Sequence, residues 1–153
     1  MVYLKFVHIL LMFAAVSIFV GGELYLMGVE RARDVPAIRR ANAVGKRLDP
    51  VGGGAFILGV GFGIITAVVG PFDLTQGWLI LAYILAALIL GIGLGYWTPR
   101  AKRIEQAAAA SPHDAPSAEL AALLGRPVDR VMVAVDLLLW AGIIFVMVVK
   151  PLS

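Results

Sequence analysis

Cysteine is absent from the chain, and histidine occurs only twice. The first absence excludes disulfides, iron–sulfur clusters, thiolate zinc or copper sites and cysteine nucleophiles. The second leaves His8 as the one histidine inside an apolar run, so a bis-histidine haem within one chain is excluded; His113 lies in a polar stretch. No serine–histidine–acid set, phosphate-binding loop or HExxH zinc motif occurs, so hydrolase and ATPase chemistry has nothing to act through. Charge is also scarce: 15% of the 153 residues are charged, where a soluble domain carries about 25%.

What fills the chain instead is hydrocarbon. Hydrophobic residues make up 61%, above the roughly 45–50% of soluble domains, and they gather into four runs of the length that crosses a bilayer. The runs are Leu4–Val29, Pro50–Gly70, Gly77–Trp97 and Val128–Val149. Each must be helical, because no water is present in hydrocarbon to satisfy the backbone. The expected fold is therefore all-α: a polytopic membrane protein, one domain over 1–153, with four transmembrane helices in an antiparallel bundle. Although the first run opens on a lone lysine, it is far longer than a signal-peptide core and is read as a retained span.

Charge sets the orientation. The connection 30–49 carries Arg31, Arg33, Arg39, Arg40, Lys46 and Arg47, and the connection 98–127 carries Arg100, Lys102, Arg103 and Arg126. The connection PFDLTQ between spans two and three has no positive charge. Lysine and arginine are retained on the cytoplasmic side, so both basic connections are expected in the cytoplasm and both termini outside. The same placement explains the net charge of +3 as a topology signal, and nucleic acid is not an expected partner. Asp34-Val35-Pro36 can open a short basic helix to about Arg47, and Asp49-Pro50 can start span two. Ser117 can cap a short helix AELAALL that Gly125 and Pro127 end. The stretch AAAASPHDAP reads as mobile.

Small residues recur at four-residue spacing. Ala55, Gly59, Gly63 and Ala67 form one ridge, and Ala87, Gly91 and Gly95 form another. Such ridges let membrane helices approach closely. Because a short loop joins spans two and three, the two ridges are expected to pack that pair as a hairpin. A dinucleotide reading of GVGFG and GIGLG fails for want of a preceding strand.

The ionisable residues inside the spans fall on defined faces. Lys5, His8, Met12, Ala15, Phe19 and Glu23 share a stripe of span one, and Asp129, Met132, Asp136, Trp140, Ile143 and Met147 share one of span four. Helical rise separates His8 from Glu23 by roughly 22 Å, so they cannot form one site. Lys5 is expected to snorkel to the headgroups, and Glu23 to pair with Arg130 or Arg33. Glu23 and Asp136 are candidates for a transporter or proton-path role, since interior carboxyls mark such paths. His8, with Met12 and Met147 as weak thioether partners, is the candidate ligand set for haem or copper. With no catalytic set, a non-enzymatic role is favoured, as a structural or accessory subunit packing with itself or with other subunits in the bilayer.

The K-x-x-H of Lys5 and His8, FVGGELYL at Phe19–Leu26, LDP at Leu48–Pro50, Pro99-Arg100 and MVVKP at Met147–Pro151 resemble a bacterial family of predicted integral membrane proteins of unknown function. That family is more remotely similar to the copper-resistance D membrane proteins and the HemJ-type protoporphyrinogen oxidases. The resemblance implies a multi-pass protein of the bacterial inner membrane. In HemJ-type proteins the histidine of this helix is associated with haem b, so the resemblance makes haem b a possible cofactor at His8.

Overall fold

The computed structural model describes residues 1–152. Six helices follow one another: α1 (Val2–Ala32), α2 (Val35–Val69), α3 (Gly77–Ile92), α4 (Thr98–Ala110), α5 (Ala118–Leu123) and α6 (Pro127–Val149). A π-helical turn, Gly93–Trp97, joins α3 to α4 without a break, so the two form one rod from Gly77 to Ala110. α1, α2, the α3–α4 rod and α6 are each long and apolar enough to cross a membrane. This fits an integral, multi-pass membrane protein.

α2 corrects one expected boundary. Its helix does not begin at Asp49-Pro50 but runs through Pro50, from a cap at Asp34 whose side chain accepts from the Ala37 N–H at 3.1 Å. Buried Val35, Ile38 and Ala41 anchor the preceding turns. Proline's fixed φ is helical, and its missing donor costs least where the backbone faces outward, as at exposed Pro50. At 35 residues and about 1.5 Å of rise each, α2 is far longer than the ~30 Å hydrocarbon layer. Its first third therefore lies beyond the spanning part.

That projecting end builds a small polar-capped layer. Val35 and Ile38 of α2 pack with Ile104, Ala107 and Ala108 of α4 and with Leu120 of α5. Arg39 ties the layer by donating to the carbonyls of Ala108 at 2.8 Å and Ser111 at 2.6 Å. The AAAASPHDAP stretch is thus not uniformly loose: it is helical through Ala110, and Ser111 is buried, accepting from the Ser117 N–H and donating to Ala107. Ser117 caps α5 through the Leu120 N–H as its spacing predicts. Gly125, at φ +70°, then turns the chain toward α6 in a conformation that β-carbon-bearing residues avoid.

Two further layers stack along the spanning part. The middle one joins Ala15, Phe56, Ile89, Trp140 and Ile143; the far one joins Ala67, Trp78, Leu79, Ala82 and Val146. At the far end the loop 71–76 is held by Asp73, whose carboxylate accepts from the Thr75 N–H and hydroxyl, and those bonds keep it below its ordinary pKa. The ammonium groups of Lys5 and Lys150 stand 5.6 and 4.7 Å from the Phe72 ring.

Helix pairing departs from the expected hairpin of spans two and three. α2 lies along α1, and α3 lies along α6. The glycines of α2 show why. A β-carbon at Gly52 would stand 2.9 Å from Ile18, one at Gly59 would stand 2.8 Å from the Met12 sulfur, and one at Gly63 would stand 2.9 Å from the His8 ring. The absent side chains of α2 are replaced by the side chains of α1. Gly91 and Gly95 meet nothing within 4 Å among the described residues, so the α3 ridge does not pack against α2. Spacing reports that close approach is possible; it does not say which helix approaches.

Candidate functional site

Two acids on α1 and two on α6 share a seven-residue spacing: Glu23 with Glu30, and Asp129 with Asp136. Seven residues are close to two turns, so each pair lies on one face with about 10 Å between its members. The fold sets the two faces against each other and makes two acidic levels. The lower level, toward the basic connections, is Glu30 with Asp129. The upper one is Glu23 with Asp136.

The lower level is neutralised from within. Arg100, on the first turn of α4, donates from Nη1 and Nη2 to the Glu30 carboxylate at 3.0 and 2.7 Å. Its Nη2 also donates to Asp129 Oδ2 at 2.9 Å. Nε lies 2.9 Å from Asp129 Oδ1, near enough for an ion pair but off the angle of a hydrogen bond. All three side chains are buried. A planar guanidinium fork is the cation suited to bridging two carboxylates. Arg126 adds a second cation to Asp129 at 2.9 Å, and the Tyr96 hydroxyl donates to the same carboxylate. The network joins α1, α4 and α6, which otherwise touch little.

The π-turn aims its donors at both levels. Opening one extra residue between the Thr98 N–H and the Gly93 carbonyl rotates Tyr96 and Trp97 relative to a regular helix, and the Thr98 hydroxyl satisfies the same carbonyl at 3.0 Å. Tyr96 then reaches Asp129, and Trp97 Nε1–H donates to Asp136. Trp97 also lies against the Arg100 guanidinium, 5.7 Å from its ring centroid.

The upper level differs. Asp136 is buried and takes the Trp97 indole N–H, and Glu23 is half-buried on the α1 side of the same cavity. Glu23 Oε1 is enclosed with no donor, and among the described residues no cation bridges the pair. The expected partners of Glu23, Arg33 and Arg130, are both exposed instead. Both carboxyls line a cavity of about 1310 Å³ between the α1–α2 pair and the α3–α6 pair. Phe19, Phe56, Trp97 and Trp140 also line it. On the side away from the basic end, the packed Ala15, Phe56, Ile89, Trp140 and Ile143 close the core.

The tentative metal ligands sit elsewhere. His8 Nδ1 bonds the Gly59 carbonyl at 2.7 Å, and since a carbonyl only accepts, His8 is the donor. Its ring stands against Gly63, and the Met12 sulfur is seated over Gly59. Met147 packs beside the far layer of Trp78 and Leu79. All three side chains are engaged in packing, and the large cavity does not reach His8. With Nδ1 donating, Nε2 is the ring nitrogen left with a lone pair. Of the sequence candidates, the fold brings together Glu23 and Asp136. The cluster's other members, Glu30, Arg100, Tyr96, Trp97 and Arg126, are not among those candidates; the matched seven-residue spacing of the acids is the one sequence signal that points to them.

No family model, curated protein or solved structure matches the chain.

Proposed function

We propose that the chain is a multi-pass protein of the bacterial inner membrane, an antiparallel four-helix bundle with both termini outside, that works through Glu23 and Asp136 as a small transporter-type or proton-handling element. The counter-running contacts of α1 with α2 support the antiparallel arrangement: His8 meets Gly63, Met12 meets Gly59 and Ile18 meets Gly52. Charge asymmetry supports the orientation. The observation that carries the functional reading is the upper pair of acids, half-buried Glu23 and buried Asp136, on one cavity wall with no bridging cation among the described residues. Two carboxylates are acceptors only, so they hold each other only with a proton or cation between them. Such groups are costly in a membrane and belong to solute or proton sites by default. The cavity opens the pair toward the basic end, while the middle core closes the other direction. This favours a site loaded from one side over a continuous path.

Infrared difference spectra collected across pH test the reading. A carbonyl stretch from a protonated carboxyl should titrate in the native protein and be altered in both E23Q and D136N. Spectra indifferent to both substitutions overturn it.

A second reading, an accessory subunit packing with itself or a larger complex, is favoured by the α3 ridge, where Gly91 and Gly95 have open space. Self-association in bilayers that G91L abolishes is the result expected of it.

A further inference from the structure

The two acidic levels are near copies with different contents. Below, Glu30 and Asp129 enclose a guanidinium that lies against Trp97. Above, Glu23 and Asp136 line one cavity with the same Trp97, whose indole N–H is already given to Asp136. The bundle thus shows in its own lower level what fits between two such acids: an organic cation flanked by an aromatic ring. Neither nearby arginine is free to serve the upper level. The fork of Arg100 is used by Glu30 and Asp129, and Arg126 is used by Asp129 and the Tyr96 hydroxyl.

We infer that the cavity between the helix pairs takes an amphiphilic organic monocation, with its charged head at Glu23 and Asp136 and its apolar body among Phe19, Phe56 and Trp140. The inference rests on the reading of that carboxyl pair as the working site and names the class of solute. Three observations select the class. At the pair itself the acids disfavour an anion, since a like charge brought to a partly desolvated carboxyl is opposed, and the basic side chains further along the cavity, among them Arg100 and Lys46, are matched by acids such as Glu30 and Glu105. Apolar and aromatic side chains line the cavity around the pair and suit an apolar body, and the full space of about 1310 Å³, which runs on to charged side chains at the basic end, exceeds the roughly 300–1,000 Å³ of ordinary small-molecule pockets. A bare divalent ion is a poor fit, because it asks for several oxygen ligands and no group of three metal-ligating side chains is gathered among the described residues. Trp97 and Trp140 line the same space, and rings of that kind attract organic cations through their quadrupole, as Trp97 does with the Arg100 guanidinium. The head enters as a proton held by the pair leaves to water, so charge balances at the site.

The test uses the full chain in lipid nanodiscs and two probes of the same shape and opposite charge, tetraphenylphosphonium and tetraphenylborate. Saturable binding is expected for the cation and not for the anion. E23Q and D136N should each weaken cation binding by at least about tenfold, the effect of neutralising one partner of a desolvated charge contact. D114N, a neutralisation of an exposed carboxylate outside the cavity, should leave it unchanged. D136N retains an acceptor for the Trp97 indole, and E23Q retains the side-chain shape, so both should fold; thermal unfolding verifies this. Absence of saturable cation binding, equal binding of the borate, or native affinity in the E23Q/D136N double variant overturns the inference. If the carboxyl infrared band titrates while neither ion binds, the cation is removed and the reading of the pair stands. If that band is missing, the reading itself falls.

Discussion

The seam between α1 and α2 and the seam between the two helix pairs are built on opposite plans. Along the first, α2 presents Gly52, Gly59 and Gly63, and α1 fills each gap with Ile18, Met12 and His8. A single polar bond, His8 to the Gly59 carbonyl, crosses it. Along the second seam, α1 meets α6 little and a large cavity opens; the pairs are joined by the middle and far apolar layers and, at the basic end, by Arg100 and its acids. In a bilayer, close backbone approach and dispersion hold the first kind of seam along its length, whereas the second adds charged bonds in a dry place where packing gives way to the cavity. The comparison teaches that glycine contacts fit α1 to α2 continuously, while the two pairs meet through apolar layers at two depths and one electrostatic fastening at the basic end.

The largest expected effect comes from cutting that fastening. Arg100→Met leaves the Glu30 and Asp129 carboxylates buried without their bridging cation, and removing one partner of a buried ion pair costs about 3–5 kcal/mol. Unfolding in mixed micelles should register the loss, and adding Glu30→Leu to Arg100→Met should recover part of it. A single variant as stable as the native chain would show that the fastening is not where the pairs are held.

Gly63→Leu attacks the other seam. Its β-carbon would stand 2.9 Å from the His8 ring, and overpacking of a fitted interface costs roughly 1–3 kcal/mol. The same unfolding assay applies. Combining Gly63→Leu with His8→Ala should restore some stability, because the ring is what the new side chain strikes; strict additivity of the two costs would place the clash elsewhere.

His8→Ala alone should do less. It removes one interhelical hydrogen bond, and such bonds in membrane proteins average about 0.6 kcal/mol with a maximum near 1.7. The shrunken side chain adds a packing loss in the same seam. Destabilisation well above that of Gly63→Leu would mean that His8 does more than bridge α1 to α2.

Local signals in the sequence were read correctly where one element sufficed. Four spans were legible from hydropathy, and the Asp34 and Ser117 caps from residue type and spacing, because each of these depends on neighbours a few residues away. Proline misled at Pro50, since its exclusion from helices weakens where the lost hydrogen bond faces outward. The ion network was not legible as a network: Glu30 and Arg100 are 70 residues apart, and each alone resembles an ordinary charge flanking a span. The π-turn at GLGYW leaves no composition that distinguishes it from a regular helix. Glycine spacing reported a close approach on α2 without naming α1 as the partner.

The smallest expected effect separates the two glycine ridges. Gly91 has the spacing of Gly59 and Gly63 but nothing within 4 Å, and it is exposed. Gly91→Leu should therefore cost the isolated chain almost nothing; replacing glycine inside a helix by a better helix former gains a fraction of the ~1 kcal/mol that separates glycine from alanine. Sedimentation equilibrium in the same detergent sharpens the comparison, because a ridge that serves a second subunit would keep monomer stability intact and lose association. If Gly91→Leu instead unfolds the monomer as Gly63→Leu does, α3 must be seated on another helix of its own chain. The division between a fitted α1–α2 pair and an open α3 flank would then have to be redrawn.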